Sequence, residues 1–159
     1  MPQVHLVANK EVAFKTVGRN IWPAPDDRAT IVIAHLVIEA LLHRFIQTKL
    51  PQPKLLNKCE FTFLKTFLLA RCFRKELKSE EWFWKTLKEL NQIRNRLSHD
   101  IEIDSLEDMI NKLYDIAGYH IDIHAPGDDP NEREANKLKY FLIILCGVTQ
   151  LLQDDNAII

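Results

Sequence analysis

Apolar residues recur at spacings of three and four along most of this chain, which is the period of an amphipathic α-helix. Segments with this pattern are separated by breaks rich in proline, glycine or charged residues. The segments expected to be helical cover residues 28–49, 57–72, 79–99, 105–117 and 132–153. About five helices joined by short breaks predict an all-α fold, arranged as an antiparallel bundle.

Residues that commonly cap helices precede these segments. Asp26 or Asp27 can cap the first helix, and Asn57 can cap the second. Ser79 precedes two acids that suit the N-terminal dipole of the third. Ser105 stands three residues before an acid, a short-acid form of the capping box, and predicts the start of the fourth.

The first part of the chain has a weaker pattern. Residues 1–24 are expected to form an N-terminal arm or a short helix, and residues 25–159 the helical bundle domain. Pro23 and Pro25 make the boundary a natural break, because proline disfavours helix in the residue before it. A total of four glycines argues against a turn-rich all-β fold.

Composition limits the cellular locations and the kinds of binding partner that are expected for this chain. The formal net charge is −1, so any contact with nucleic acid needs a local basic patch, which two subunits could share. The N-terminus lacks the pattern of a secretory signal, and the longest apolar run, 140–148, is far shorter than a bilayer span. A cytoplasmic location without membrane contact is therefore expected. Three widely spaced cysteines predict reduced, mostly buried thiols.

Three other features allow more than one interpretation. His120, Asp122 and His124 could bind a metal, although a surface segment is the preferred interpretation. The aromatic run 82–84 could stack on bases, and a mixture of core and subunit interface is preferred. A basic stretch could guide a phosphate backbone, but a solvated loop is the default. Its cations are Arg71, Arg74, Lys75 and Lys78.

The candidate catalytic residues are Arg94, Asn95 and His99, at the end of the third helix. Arginine fits phosphate with a planar fork of donors, and histidine exchanges a proton near neutral pH. On a regular helix Arg94 and His99 point about 140° apart. Either the helix loosens near Ser98, or a second copy of the chain completes a symmetric site, and the second arrangement is favoured. The alternative is a solvated helix end, where cations suit the C-terminal dipole.

The segment Leu90–His99 resembles the signature of the HEPN superfamily of all-α proteins. That signature is an arginine, four to six residues and a histidine, often with a polar residue directly after the arginine. Here four residues intervene and Asn95 fills the polar position. Glu39, embedded in the apolar stripe of the first helix, is similar to an early acidic position in many such bundles. A partly exposed flank residue is the alternative for Glu39.

The resemblance implies a metal-independent endoribonuclease that acts as a homodimer and needs no cofactor. His99 would serve as general base or acid, Arg94 would hold the phosphate, and Asn95 would orient the histidine or the phosphate. RNA and a protein antitoxin or regulator are the partners it implies, in defence or growth control. Ile101 stands where some toxin members have a tyrosine that a nucleotidyltransferase modifies, so that partner is not expected. The same segment resembles the mannitol operon repressor family, and a non-catalytic regulatory or interaction protein is the alternative.

Overall fold

Helices make up nearly all of the regular structure in the computed structural model of the chain. It describes residues 15, 17–75, 78–99, 105–122, 127–153 and 159, and this part contains no β-strand. Its α-helices are α1 (Gly18–Ile21), α2 (Asp27–Lys49), α3 (Phe63–Cys72), α4 (Glu81–His99), α5 (Leu106–Ala117) and α6 (Pro130–Gln150). Short 3-10 helices cover Pro53–Lys58, Lys78–Glu80, Gly118–His120 and Leu151–Gln153. The predicted all-α bundle is confirmed.

The observed helix starts agree with only some of the N-caps predicted from the sequence. Asp26 caps α2, because its Oδ1 accepts a hydrogen bond from the Ala29 amide at 2.8 Å. The predicted cap at Asn57 is wrong: that residue lies in a 3-10 turn, and Thr62 caps α3. Ser105 occupies the N-cap position of α5, but its side chain makes no capping hydrogen bond. The first and last long helices begin within two residues of their predicted starts.

The core forms around α2, which packs against α1, α3, α4 and α6. The apolar stripe of α2 is fully buried at Ile31, Ile38, Leu42 and Phe45. The helix α6 is buried along the whole stretch 140–149, so nearly every side chain there meets protein rather than water. Burial on all sides explains why this helix carries a continuous apolar run instead of a single stripe.

Side-chain contacts define the directions of two helix pairs. Helices α4 and α5 are antiparallel: Glu89 pairs with Lys112 at 2.9 Å, and Arg96 Nη1 reaches Met109 Sδ at 3.4 Å. Helices α2 and α6 instead run in the same direction. Lys139 Nζ donates to the carbonyl of Trp22, just before α2, at 3.0 Å. Farther along both helices, Cys146 Sγ lies 4.0 Å from the carbonyl oxygen of Ala34.

The N-terminal arm belongs mostly to the part that is not described. Residues 1–14 and 16 lie outside the described residues. Val17, Ile21 and Ala24 are buried, and α1 contacts α2 and α6. The end of the predicted arm is therefore packed onto the bundle.

Two segments are long and apolar enough to cross a membrane by length and composition alone. They are Asp27–Lys49 and Pro130–Gln153, so the short apolar run 140–148 understates the apolar length of the second. Half of the apolar window in the first, and about two thirds in the second, is buried inside the bundle. The core helix of a soluble protein passes the same test, and the expectation of no membrane contact stays a prediction.

The prediction of mostly buried thiols is wrong for two of the three cysteines. Cys59 follows a 3-10 turn and Cys72 ends α3, and both are exposed. Cys146 is completely buried in α6, and this burial raises the pKa of its thiol. All three are free thiols.

Candidate functional site

Helix α4 stays a regular α-helix as far as His99. Ser98 Oγ donates a hydrogen bond to the Arg94 carbonyl at 3.1 Å, and the backbone around both residues remains α-helical. The helix therefore does not loosen near Ser98, and that way of bringing Arg94 and His99 together is wrong. Residues 100–104 lie outside the described part of the chain.

Arg94 lies on the flank of α4 that faces α2. Its side chain is half-buried, and its Nη1 donates to Asn95 Oδ1 at 3.3 Å. The guanidinium is near enough to His35 of α2 to lower the pKa of that imidazole. The candidate phosphate-binding arginine thus bonds to its neighbour on α4 and lies within electrostatic range of a buried histidine on α2.

His35 and Asn91 form the polar contact between α2 and α4. His35 Nε2 lies 3.0 Å from Asn91 Oδ1, and because an amide oxygen can only accept, Nε2 carries the proton. His35 is 3% exposed and packs against the ring of Phe63 with centroids 4.3 Å apart. Its Nδ1 has no hydrogen-bond partner among the described residues. A neutral imidazole therefore suits this position.

The charges around His35 act in opposite directions. Burial is the largest effect and lowers the pKa of the imidazole, because a charged ring loses its hydration there. The hydrogen bond to Asn91 and the carboxylate of Glu39 raise this pKa, and the Arg94 guanidinium lowers it. Glu39 is half-buried and so fits the partly exposed flank position as well as the embedded acidic one.

Asn95 and His99 lie on the outer face of α4, one turn apart, and both are exposed. Asn95 also borders a groove of about 570 Å³ between α4 and α5, together with Arg96 and Lys112. Within one chain the described residues bring Arg94 next to Asn95 but leave Arg94 and His99 on different faces. A composite site made by two copies is the arrangement that remains, and it stays a prediction.

The basic stretch is not a uniformly solvated loop. Arg71, Lys75 and Lys78 are exposed, as expected. Arg74 is instead buried with Glu80, and the two side chains, which are 8% and 1% exposed, form an ion pair. A carboxylate without access to water needs a nearby counter-charge, and this need explains why Arg74 turns inward.

The aromatic run divides between core and surface. Phe83 and Trp84 are buried in the core, and Trp82 is partly buried. The Trp82 ring stacks on His120 with centroids 4.6 Å apart and an angle of 4° between planes. His124 lies outside the described residues, and among those described no group of three histidines, cysteines or acids could hold a metal ion.

Sequence reasoning missed three residues of interest. Asn91 precedes Arg94 by one helical turn, so the spacing could have shown that both face the same neighbour. His35 lies near Arg94 only because α2 packs against α4, and no local pattern reveals this proximity. Tyr119, whose ring stacks on His120, follows the glycine that ends α5 and went unnoticed.

Comparison of the chain with protein-family models, with curated proteins and with solved structures found no match. The resemblance to the HEPN superfamily therefore depends on the residues of the chain itself.

Proposed function

We propose that this protein is a metal-independent endoribonuclease that acts as a homodimer. The observation that carries the proposal is the end of α4, where a half-buried arginine is hydrogen-bonded to Asn95 while His99 is exposed one turn beyond Asn95. This arrangement combines a fixed cation with a proton carrier that substrate can reach. The same three residues carry the resemblance to the HEPN signature.

Arg94 binds the phosphate in this proposal. A guanidinium has five N–H donors, and the bond to Asn95 uses one of them. The remaining donors can hold the non-bridging oxygens of a phosphodiester and stabilise the charge that develops on them. Partial burial and the bond to Asn95 restrict the side chain, which reduces the entropy lost when the phosphate binds.

His99 moves the protons. As a general base it accepts the proton of the ribose 2′-hydroxyl while the 2′-oxygen attacks phosphorus. The new bond joins phosphorus to the 2′-oxygen, the bond to the 5′-oxygen breaks, and a protonated imidazole returns a proton to that leaving oxygen. The products are a 2′,3′-cyclic phosphate and a 5′-hydroxyl end, and no redox step or co-reactant is needed.

A second copy of the chain supplies the missing geometry. Because Arg94 and His99 point about 140° apart on one helix, a single α4 cannot direct both at one phosphate. Two α4 ends related by a two-fold axis provide two arginines and two histidines around one cleft. One histidine then acts as base and the other as acid. We infer a cytoplasmic location, where RNA is available and exposed thiols such as Cys59 stay reduced.

The test is cleavage of mixed RNA by purified protein in the presence of a chelator. Wild type should cleave, and Arg94→Ala and His99→Ala should each lose on the order of 10²-fold or more of the rate. Arg19→Ala, which removes an exposed cation from α1, is the matched control and should cleave normally. Product ends analysed by mass spectrometry should carry the cyclic phosphate. Cleavage that persists unchanged in His99→Ala, or that stops with chelator, contradicts the proposal.

A non-catalytic regulatory or interaction protein is the second candidate, and exposed apolar residues favour it. Leu64 and Leu68 lie one turn apart on α3, and each is about half exposed, as is Leu36 of α2. Clustered apolar exposure marks surfaces that bind other proteins. Under this candidate, Leu68→Glu abolishes self-association or partner binding, and RNA stays intact with every variant. A protein antitoxin or regulator would be the partner, and a role in defence stays a prediction.

A further inference from the structure

Three rings form a continuous stack at the end of the bundle opposite to His99. Trp82 of α4 lies against His120 with centroids 4.6 Å apart and planes 4° apart. His120 lies against Tyr119 with centroids 4.3 Å apart and planes 29° apart. The stack therefore runs outward from the bundle, from Trp82 through His120 to Tyr119.

The inner end of the stack is anchored in the core. The Trp82 ring meets the edge of Phe83 at 6.0 Å, and Phe83 is completely buried. Burial also lowers the pKa of His120, which favours the neutral ring. The inner end of the stack is therefore continuous with the buried core.

The outer end of the stack is open to solvent. Helix α5 ends at Gly118, whose φ of 53° is a conformation that side chains with a Cβ rarely adopt. The chain then turns and projects Tyr119, which is 92% exposed. A large aromatic ring at this exposure gains almost nothing from burial, so packing within the bundle does not explain its position.

We propose that the outer face of Tyr119 binds a nucleobase of single-stranded RNA, as the fourth ring of this stack. The inference rests on the proposed function and adds a base-binding site to it. Every nucleobase has a planar face that stacks on an aromatic side chain, and such stacking is the usual way in which unpaired bases bind proteins.

The surroundings favour a base over a phosphate or a protein surface. The last turn of α5 holds no basic residue, and Asp115 within it is exposed, so this helix end offers a phosphate no cation. Gly118 and Asp115 add no apolar area around the ring, whereas a stable protein interface needs a wide patch. A single stacked base needs only the ring itself.

The position of the stack sets its role. Trp82 and His99 lie near opposite ends of α4, roughly 25 Å apart along the helix axis. A base on Tyr119 therefore belongs to a nucleotide several positions away from the phosphate at Arg94. The site would hold longer RNA strands and would not affect the cleavage of a dinucleotide.

The experiment measures binding of labelled single-stranded RNA by fluorescence anisotropy, with His99→Ala as the background so that RNA stays intact. Tyr119→Ala should weaken binding on the order of tenfold or more, because one base loses its stacking partner. Tyr119→Phe keeps the ring and should bind like the background protein. A series of RNA strands, each lacking the base at a different position, locates the contact. Strands that lack the base bound by Tyr119 should bind the background protein more weakly, and Tyr119→Ala should weaken their binding no further.

Several outcomes overturn the inference. Equal binding by Tyr119→Ala and the background protein removes the site, and so does the absence of any binding to single-stranded RNA. An equal loss with normal and abasic strands assigns Tyr119 a role other than base stacking. Loss of self-association with unchanged RNA binding assigns it to a protein interface. Thermal unfolding of each variant checks that the bundle is intact.

The nuclease proposal is tested separately, by measuring whether the wild-type protein cleaves a dinucleotide. Base-dependent binding through Tyr119 without any cleavage supports this inference and contradicts the nuclease proposal. Cleavage that depends on His99, together with binding that is indifferent to Tyr119, gives the opposite result.

Discussion

His35 and Asn91 are joined by a 3.0 Å hydrogen bond between side chains that are 56 positions apart in the chain. The bond links α2 to α4 one helical turn before Arg94, so it helps to define where the candidate phosphate-binding residue lies. His35 is nearly inaccessible to water, and its protonation and its partner therefore both affect the stability of this contact.

Asn91→Ala should destabilise the fold by about 1–3 kcal/mol, because it leaves the buried Nε2–H of His35 without an acceptor. Urea unfolding measures the change. Gln92→Ala alters the adjacent, exposed amide and should change the free energy of unfolding by less than about 0.5 kcal/mol. Equal effects of the two substitutions would show that the His35–Asn91 bond contributes nothing.

Stability should fall as pH decreases below about 6.5, the ordinary pKa of histidine. Burial holds the pKa of His35 in the folded state below that value, so the unfolded chain binds more protons in this range. The contribution of His35 to the free energy of unfolding is therefore fully present above about pH 6.5. It decreases as the pH falls from that value to the lower pKa of the folded state. Unfolding free energies between about pH 7.5 and 5.5 measure the slope.

His35→Gln is the control for this pH dependence. It keeps a side-chain amide within reach of Asn91 and removes the titrating group, so the decline should become shallower. Part of the slope should persist, because burial also lowers the pKa of His120. An unchanged slope in His35→Gln would rule out the buried imidazole as the source.

Arg74→Met should cost about 3–5 kcal/mol, because it leaves the Glu80 carboxylate buried without this counter-charge. Arg71→Met, which changes an exposed arginine of α3, should be nearly neutral. Combining Arg74→Met with Glu80→Leu should cost clearly less than the sum of the two single changes. Thermal and denaturant unfolding give the four free energies, and simple additivity would contradict a coupled pair.

Asp26→Ala should cost about 1 kcal/mol, since the bond from the Ala29 amide to Asp26 Oδ1 is lost at the start of α2. Ser105→Ala should be close to neutral, because Ser105 makes no capping bond although its sequence context predicts one. Denaturant midpoints of the two variants compare the caps directly. A larger loss for Ser105→Ala would reverse the roles of the two positions.

The sequence by itself determined most of the helices and the faces that they bury, although α3 begins at Phe63 and not at the predicted residue 57. Periodic apolar residues such as Ile31 and Leu87 define a buried stripe locally, because a helix repeats every 3.6 residues wherever it packs. The structure shows that α4 is regular through His99, and the divergence of Arg94 and His99 then follows from the period of the helix. Capping was predicted less well, since Asn57 and Ser105 satisfy the pattern without making the bond.

The tertiary structure alone decided which polar and aromatic side chains meet. His35 reaches Asn91, and Trp82 stacks on His120, across distances in the chain that no local spacing encodes. Helices α2 and α6 are not consecutive in the chain, yet they contact each other and run in the same direction. The physical reason is that periodicity selects only which face of a helix is buried. The partner of that face depends on how all the helices share one core.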